Sequence, residues 1–183
     1  INCLRDFARE AGAFIDARAK QRDKPFFLYL PLSSPHTPIV PSKKWQGKSD
    51  IGKYGDFLME TDWVVGHIMD ALDRAGVADT TLLIFSTDNG TSGVANFKQL
   101  ESRGVNLRNH FRGHKGQIHE GGHRVPFVVR WPGRIKPGST CSQTICLNDF
   151  MATTADILDF RLPDNAGEDS ISILPLLFAE KTS

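Results

Sequence analysis

Asp88-Asn89-Gly90 sets two oxygen-bearing side chains at the end of an apolar run, Thr81-Leu82-Leu83-Ile84-Phe85, followed by a residue free to turn. A carboxylate beside an amide oxygen suits a hard cation such as Ca²⁺ or Mg²⁺. Ligands in open α/β sheets bind just beyond the carboxyl ends of strands, which is where this pair falls. Asn-Gly after an apolar strand is also a strong hairpin signal. Thr91 to Asn96 nevertheless carries no returning strand of alternating polarity. Asn89-Gly90-Thr91 also fits the N-glycosylation pattern. A ligand at the bottom of a cleft cannot carry a glycan, and the ligand reading is the one adopted.

Two further places bring chemistry to strand ends or loops. Ser33-Ser34-Pro35-His36-Thr37-Pro38 holds His36 between prolines, so its imidazole is presented at a defined position. There it can donate to an oxyanion or act as a general acid, although the plainer alternative is a surface loop histidine with one backbone bond. Arg112-Gly113-His114-Lys115-Gly116 leads into Glu120-Gly121-Gly122-His123-Arg124. Lys115, between Gly113 and Gly116, can bring a compact positive charge close to an anion. His110, His114, His119 and His123 form two i, i+4 pairs, which would suggest zinc only on a helix, and glycines interrupt the segment. His67 reads as an ordinary helix-surface or boundary residue.

The elements that must position these groups alternate between helix and strand. Leu4, Phe7, Ala8, Ala11, Phe14 and Ile15 recur at helical spacing and predict a helix over 3–20. Phe26 to Leu30 is continuously apolar and predicts a strand buried on both faces. Phe57, Leu58, Val64, Val65, Ile68, Met69 and Leu72 predict a helix over 54–75, with Gly76 as its stop. Strands are expected at 81–86 and 125–131, separated by a glycine-rich loop over 90–124, and Asp149 is expected to cap a last helix reaching Leu158. Residues 161–183 are expected to wrap the surface. This order indicates an α/β fold with a largely parallel sheet flanked by helices, forming one domain over 1–183.

A net charge of +1 gives no reason to expect nucleic acid or an anionic membrane as partner. No apolar run approaches the roughly 20 residues that cross a bilayer. Cys3, Cys141 and Cys146 are neither a disulfide framework nor a zinc site; a Cys141–Cys146 bridge is possible, and free thiols fit better. The sequence begins at Ile1 with neither an initiator Met nor a charged-then-apolar stretch, and is expected to be a processed, truncated or incompletely recorded protein.

Three stretches in order, PFFLYLPLSSPHTP from Pro25, STDNG from Ser86 and RGHKGQIHEGGHRVPFVVRWPG from Arg112, resemble the sulfatase (arylsulfatase) family within the alkaline-phosphatase-like superfamily. Weaker likeness extends through Tyr54 to Gly76 and through Asn148 to Leu177. The resemblance implies Asp88 and Asn89 as two protein ligands of Ca²⁺. It implies His36 and Lys115 as contacts to the sulfate near the leaving-group oxygen, with Glu120, Gly121, Gly122 and Arg124 as a turn that fixes the Lys115 loop. It further implies a small-molecule or carbohydrate sulfate ester as substrate and an exported, periplasmic or lysosomal location. Trp45, Lys43, Lys44 and Lys48 follow the His36 loop and could line a substrate rim, or serve only as surface.

The family's formylglycine nucleophile arises from a Cys-x-Pro-x-Arg motif, and none of the three cysteines has that context. The paired aspartates of the family's first strand are absent as well. The chain therefore resembles the middle-to-late part of a sulfatase catalytic domain. Alone it is expected to bind Ca²⁺ weakly, because the ion takes about six to eight oxygens. It is also expected to turn over no sulfate ester, and to associate through exposed sheet edges. The alternatives are a phosphoesterase or phosphonate-ester hydrolase of the same superfamily, and a non-catalytic binding protein.

Overall fold

In the computed structural model, residues 2–107 and 110–178 are described. The chain divides into two compact units after Val129.

The first unit is built on two helices, α1 (Leu4–Arg18) and α2 (Lys53–Arg74). Their apolar stripes face each other, as the helical spacing predicts. Ala11, Ile15, Ile68, Ala71, Leu72, Val77 and Ala78 form one buried cluster, and Leu4, Ala8, Phe57 and Val64 form another. Asn2 Oδ1 accepts the Leu4 N–H at the start of α1. Gly76, with φ of 63°, stops α2 as expected. The Gly76 and Val77 N–H groups return to the Asp73 and Leu72 carbonyls, a Schellman closure. Arg22 then donates from Nη1 and Nη2 to the Gly76 and Ala75 carbonyls, placing a cation at the negative end of α2.

The segment 26–30 departs from expectation. It has no strand pairing among the described residues. Phe26, Leu28 and Leu30 pack on the helix clusters, whereas Phe27 and Tyr29 are 79% and 76% exposed. Only one face meets the helices, so an apolar run that reads as doubly buried is half-buried with period two. The described residues hold one two-stranded sheet, β1 (Leu83–Ser86) beside β2 (Phe127–Arg130). Ser86 Oγ reinforces the pair by donating to the Pro126 carbonyl at 2.9 Å. The larger parallel sheet is not among these elements. The 90–124 segment, expected as loop, contains short helical pieces: a 3₁₀ turn at Gly93–Ala95, α3 (Phe97–Glu101) and α4 (Glu120–His123).

The second unit, from Arg130, carries a 3₁₀ turn at Leu147–Asp149, then α5 (Phe150–Ile157) and α6 (Leu174–Phe178). Asp149 makes no side-chain cap bond to α5. Its carboxylate accepts instead from Cys146 N at 2.8 Å and Ile171 N at 3.0 Å. The Thr153 hydroxyl donates to Asp149 O and accepts from Ile173 N, so the 169–173 stretch is bound to α5 by polar groups. No disulfide joins Cys3, Cys141 and Cys146, and the last two are exposed. Among the described residues no helix is long and apolar enough to cross a membrane.

Candidate active site

The turn after β1 and the loop that carries Lys115 are joined through backbone. Gly90 N donates to Gly122 O at 2.9 Å, and Lys115 N donates to Thr91 O at 3.0 Å. Gly121 N donates to Arg112 O at 2.8 Å, which ties the start of α4 to the same loop. Two sequence segments more than twenty residues apart are thereby held against one another, with Asp88 and Asn89 beside one of these bonds and Lys115 at the other. Thr91 contributes a further tie, its hydroxyl donating to Leu107 O at 3.1 Å.

Asp88 is exposed and Asn89 half-buried. Asn89 Nδ2 donates to Gly90 O at 3.0 Å, so the amide nitrogen is engaged locally and the oxygen is the end left for a cation. Both carry hard oxygen donors, the type a Ca²⁺-type ion takes, and two would be only part of its shell. Among the described residues no three His, Cys, Asp or Glu side chains are grouped to hold a metal. His114 and His123 each engage a ring nitrogen with a nearby carbonyl, of Lys115 and Ile118. His114 also stacks edge-on against Phe97, with ring centroids 5.6 Å apart.

His36 is exposed on its own loop, with Nδ1 3.0 Å from the Thr37 carbonyl. That loop is held from behind by α2. Thr61 Oγ1 donates to Ser34 Oγ at 2.7 Å, and the buried Glu60 carboxylate accepts from Asn2 Nδ2 at 2.7 Å and Ser42 N at 2.9 Å. Asp56, also buried, accepts from Gly47, Lys48 and Ser49 N–H groups at 2.7–3.0 Å. Burial pushes the Asp56 carboxyl up, but the three N–H donors outweigh it and hold it below the ordinary range. Sequence reading missed both acids. The signal was available, since Glu60 falls on the apolar stripe between Phe57 and Val64, where a carboxylate has to be bonded.

Of the expected rim, Trp45 packs on Trp63 with centroids 6.4 Å apart and Lys44 Nζ lies 5.3 Å from both rings. His67 stacks on Trp63 at the α1–α2 boundary, as its position suggests. Two open grooves flank α1, one lined by Asp16, Ala19, Lys20, Arg22 and Ala75, the other by Phe7, Glu10, Phe14, Leu28 and neighbours. Neither is lined by Asp88, Asn89, Lys115 or His36.

Main-chain bonds thus join the turn that carries Asp88 and Asn89 to the loop that carries Lys115. The comparisons give the family. A model of the sulfatase family matches residues 5–160, and the chain belongs to that family. It is 36% identical over 88% of its length to an N-acetylgalactosamine-6-O-sulfatase of Bacteroides thetaiotaomicron, covering 31% of that protein. Likeness to the steryl-sulfatase of Mus musculus is 36% over 94% of the chain and 27% of the relative. A solved Bacteroides thetaiotaomicron structure, described under the metabolism of multiple glycosaminoglycans, matches with TM-score 0.85 and 35% identity, over 93% of this chain and 35% of that one. The fold is thus that of the sulfatases, alkaline-phosphatase-like, and the chain spans about a third of the length of such relatives.

Proposed function

We propose that the protein containing this chain hydrolyses sulfate esters with the help of Ca²⁺, and that Asp88, Asn89, Lys115 and His36 belong to its active site. The observation that supports the reading is the pair of backbone bonds, Gly90 N to Gly122 O and Lys115 N to Thr91 O, that joins the Asp88-Asn89 turn to the Lys115 loop. Bound Ca²⁺ supplies Lewis-acid stabilisation of charge on the sulfate oxygens. Asp88 and Asn89 hold that ion as two of its oxygen ligands. Lys115 attracts the sulfate and lowers the energy of the charge that develops on it. His36, standing on a loop anchored by Thr61 and Glu60, delivers a proton to the departing alcohol oxygen. The nucleophile comes from another segment, because no cysteine here stands in a Cys-x-Pro-x-Arg context. By itself the 183-residue chain binds Ca²⁺ weakly and is inactive.

The substrate class is a carbohydrate or small-molecule sulfate ester, in keeping with relatives named for sulfated N-acetylgalactosamine and for steryl sulfate. The test is turnover of p-nitrophenyl sulfate by the full protein. Lys115→Ala and His36→Ala should each lower kcat/KM by about 10²–10³-fold, the scale of losing one oxyanion-stabilising group. Asp88→Ala should raise the Ca²⁺ concentration needed for half activity. Unchanged turnover in these variants would remove them from the site, and faster cleavage of p-nitrophenyl phosphate would favour the phosphoesterase reading.

A further inference from the structure

We infer that Gly90, Gly121 and Gly122 are positioning residues, forming a stack of backbone layers that fixes the Asp88-Asn89 turn against the Lys115 loop. The inference rests on the roles given to Asp88, Asn89 and Lys115 above.

A Cβ added at Gly90 would lie 1.9 Å from the Gly121 carbonyl oxygen and 2.8 Å from its carbon. One added at Gly121 would lie 2.3 Å from Gly113 O and 2.9 Å from Arg112 O. At Gly122 it would lie 2.0 Å from Gln117 O and 2.9 Å from His114 O. Every obstacle is backbone, which cannot swing aside as a side-chain end can. None of the three glycines is among those with positive φ, so their conformations are open to any residue. The requirement for glycine is therefore closeness of approach.

The three contacts stack in order. The turn after β1 lies against the start of α4, and α4 lies against the 112–117 loop. Hydrogen bonds cross both faces: Gly90 N to Gly122 O on one, and Gly121 N to Arg112 O on the other. The Lys115 N–H to Thr91 O bond then closes the outer layers on each other. With α4 as a spacer one backbone thick, a methyl at either face forces the oxygen donors and Lys115 apart without touching them. A misplacement on the order of 1 Å can cost about 100-fold in rate.

Gly55 provides the control. A Cβ there would meet side-chain atoms, Ser49 Oγ at 2.0 Å and Ile51 Cγ1 at 2.3 Å, a crowding located on α2 outside the stack. Hydrogen exchange by mass spectrometry on the full protein, wild type, Gly121→Ala and Gly55→Ala, reads the stack directly. Gly121→Ala should speed exchange at least about tenfold in the peptides holding Gly90 and Lys115 together, with α1 and α2 protection kept. In the same protein kcat/KM for p-nitrophenyl sulfate should fall about 100-fold, with more Ca²⁺ needed for half activity. Gly55→Ala should instead lower thermal stability and leave both kinetic readouts near wild type below its melting transition. Unchanged exchange at Gly90 and Lys115 overturns the inference, as does a uniform loss of protection, or an equal kinetic loss in Gly55→Ala. If wild type cleaves no sulfate ester while Gly121→Ala still loosens both peptides together, the stack stands and the reading of its cargo falls.

Discussion

The α1–α2 core and the 88–124 segment are assembled by different physics. The helices meet through buried aliphatic side chains, Leu4, Ile15, Val64 and Leu72 among them, all at most 2% exposed. The 88–124 segment is joined mainly by main-chain bonds and by glycines that let backbones touch. Side-chain packing is strong and area-dependent, and tolerates volume-conserving exchange. Backbone contact contributes less net energy per bond but defines separation sharply, because it has no rotamers with which to accommodate an error. One region is held by side-chain burial and the other by main-chain register.

The largest effect that can break this comparison comes from the core. Leu72→Ala removes a fully buried side chain at the α1–α2 contact and should cost about 2–5 kcal/mol by chemical or thermal unfolding. It should lower hydrogen-exchange protection at Gly90 and Lys115 together with that of the helices, unlike Gly121→Ala, which should act on the former alone. Local loosening in both variants would mean that the two regions are independent folding units.

Next in size is Asp56, a polar anchor inside the core region that behaves like the site. One carboxylate oxygen accepts from Lys48 N and Ser49 N, the other from Gly47 N. Asn at this position can offer only one oxygen and turns an N–H₂ toward an N–H, so Asp56→Asn should cost about 1–3 kcal/mol. The pH dependence follows from the lowered folded-state value. The stabilisation is fully present above the ordinary carboxylate pKa of 3.8, and is lost as pH falls through the lower folded value. Denaturation curves across that acid range should lose a component in Asp56→Asn. Identical slopes would mean that the three N–H bonds do not favour the ionised form.

What was legible in the sequence follows the same division. Both long helices could be read from their apolar spacing, and Gly76 marked the end of α2, because those features are local. Residue type and motif nominate Asp88, Asn89, His36 and Lys115 as candidates, but the bonds that bring the Asp88 turn to the Lys115 loop could not be read. They link Gly90 to Gly122 and Thr91 to Lys115 through main chain, which leaves no side-chain signature except a surplus of glycine. Glu60 and Asp56 were hidden for another reason: acids on a helix read as solvent-facing until a loop folds back to donate to them. Asp149 shows the reverse error. A residue of N-cap type stood before a helix, and tertiary donors from Cys146 and Ile171 took its carboxylate instead.

The smallest predicted effect sharpens the one place where the apolar pattern misled. Phe26 to Leu30 reads as buried on both faces, yet Leu28 packs on the helix cluster while Phe27 is 79% exposed. Leu28→Ala should destabilise measurably, whereas Phe27→Ser in the 183-residue chain should change unfolding free energy by no more than about 0.5 kcal/mol. The same Phe27→Ser change should lower self-association in sedimentation, because an exposed aromatic row along an extended segment with no strand partner among the described residues is a template for another chain. A cost for Phe27→Ser comparable to that of Leu28→Ala would place both faces in contact with protein. The continuous apolar run would then have been the better guide.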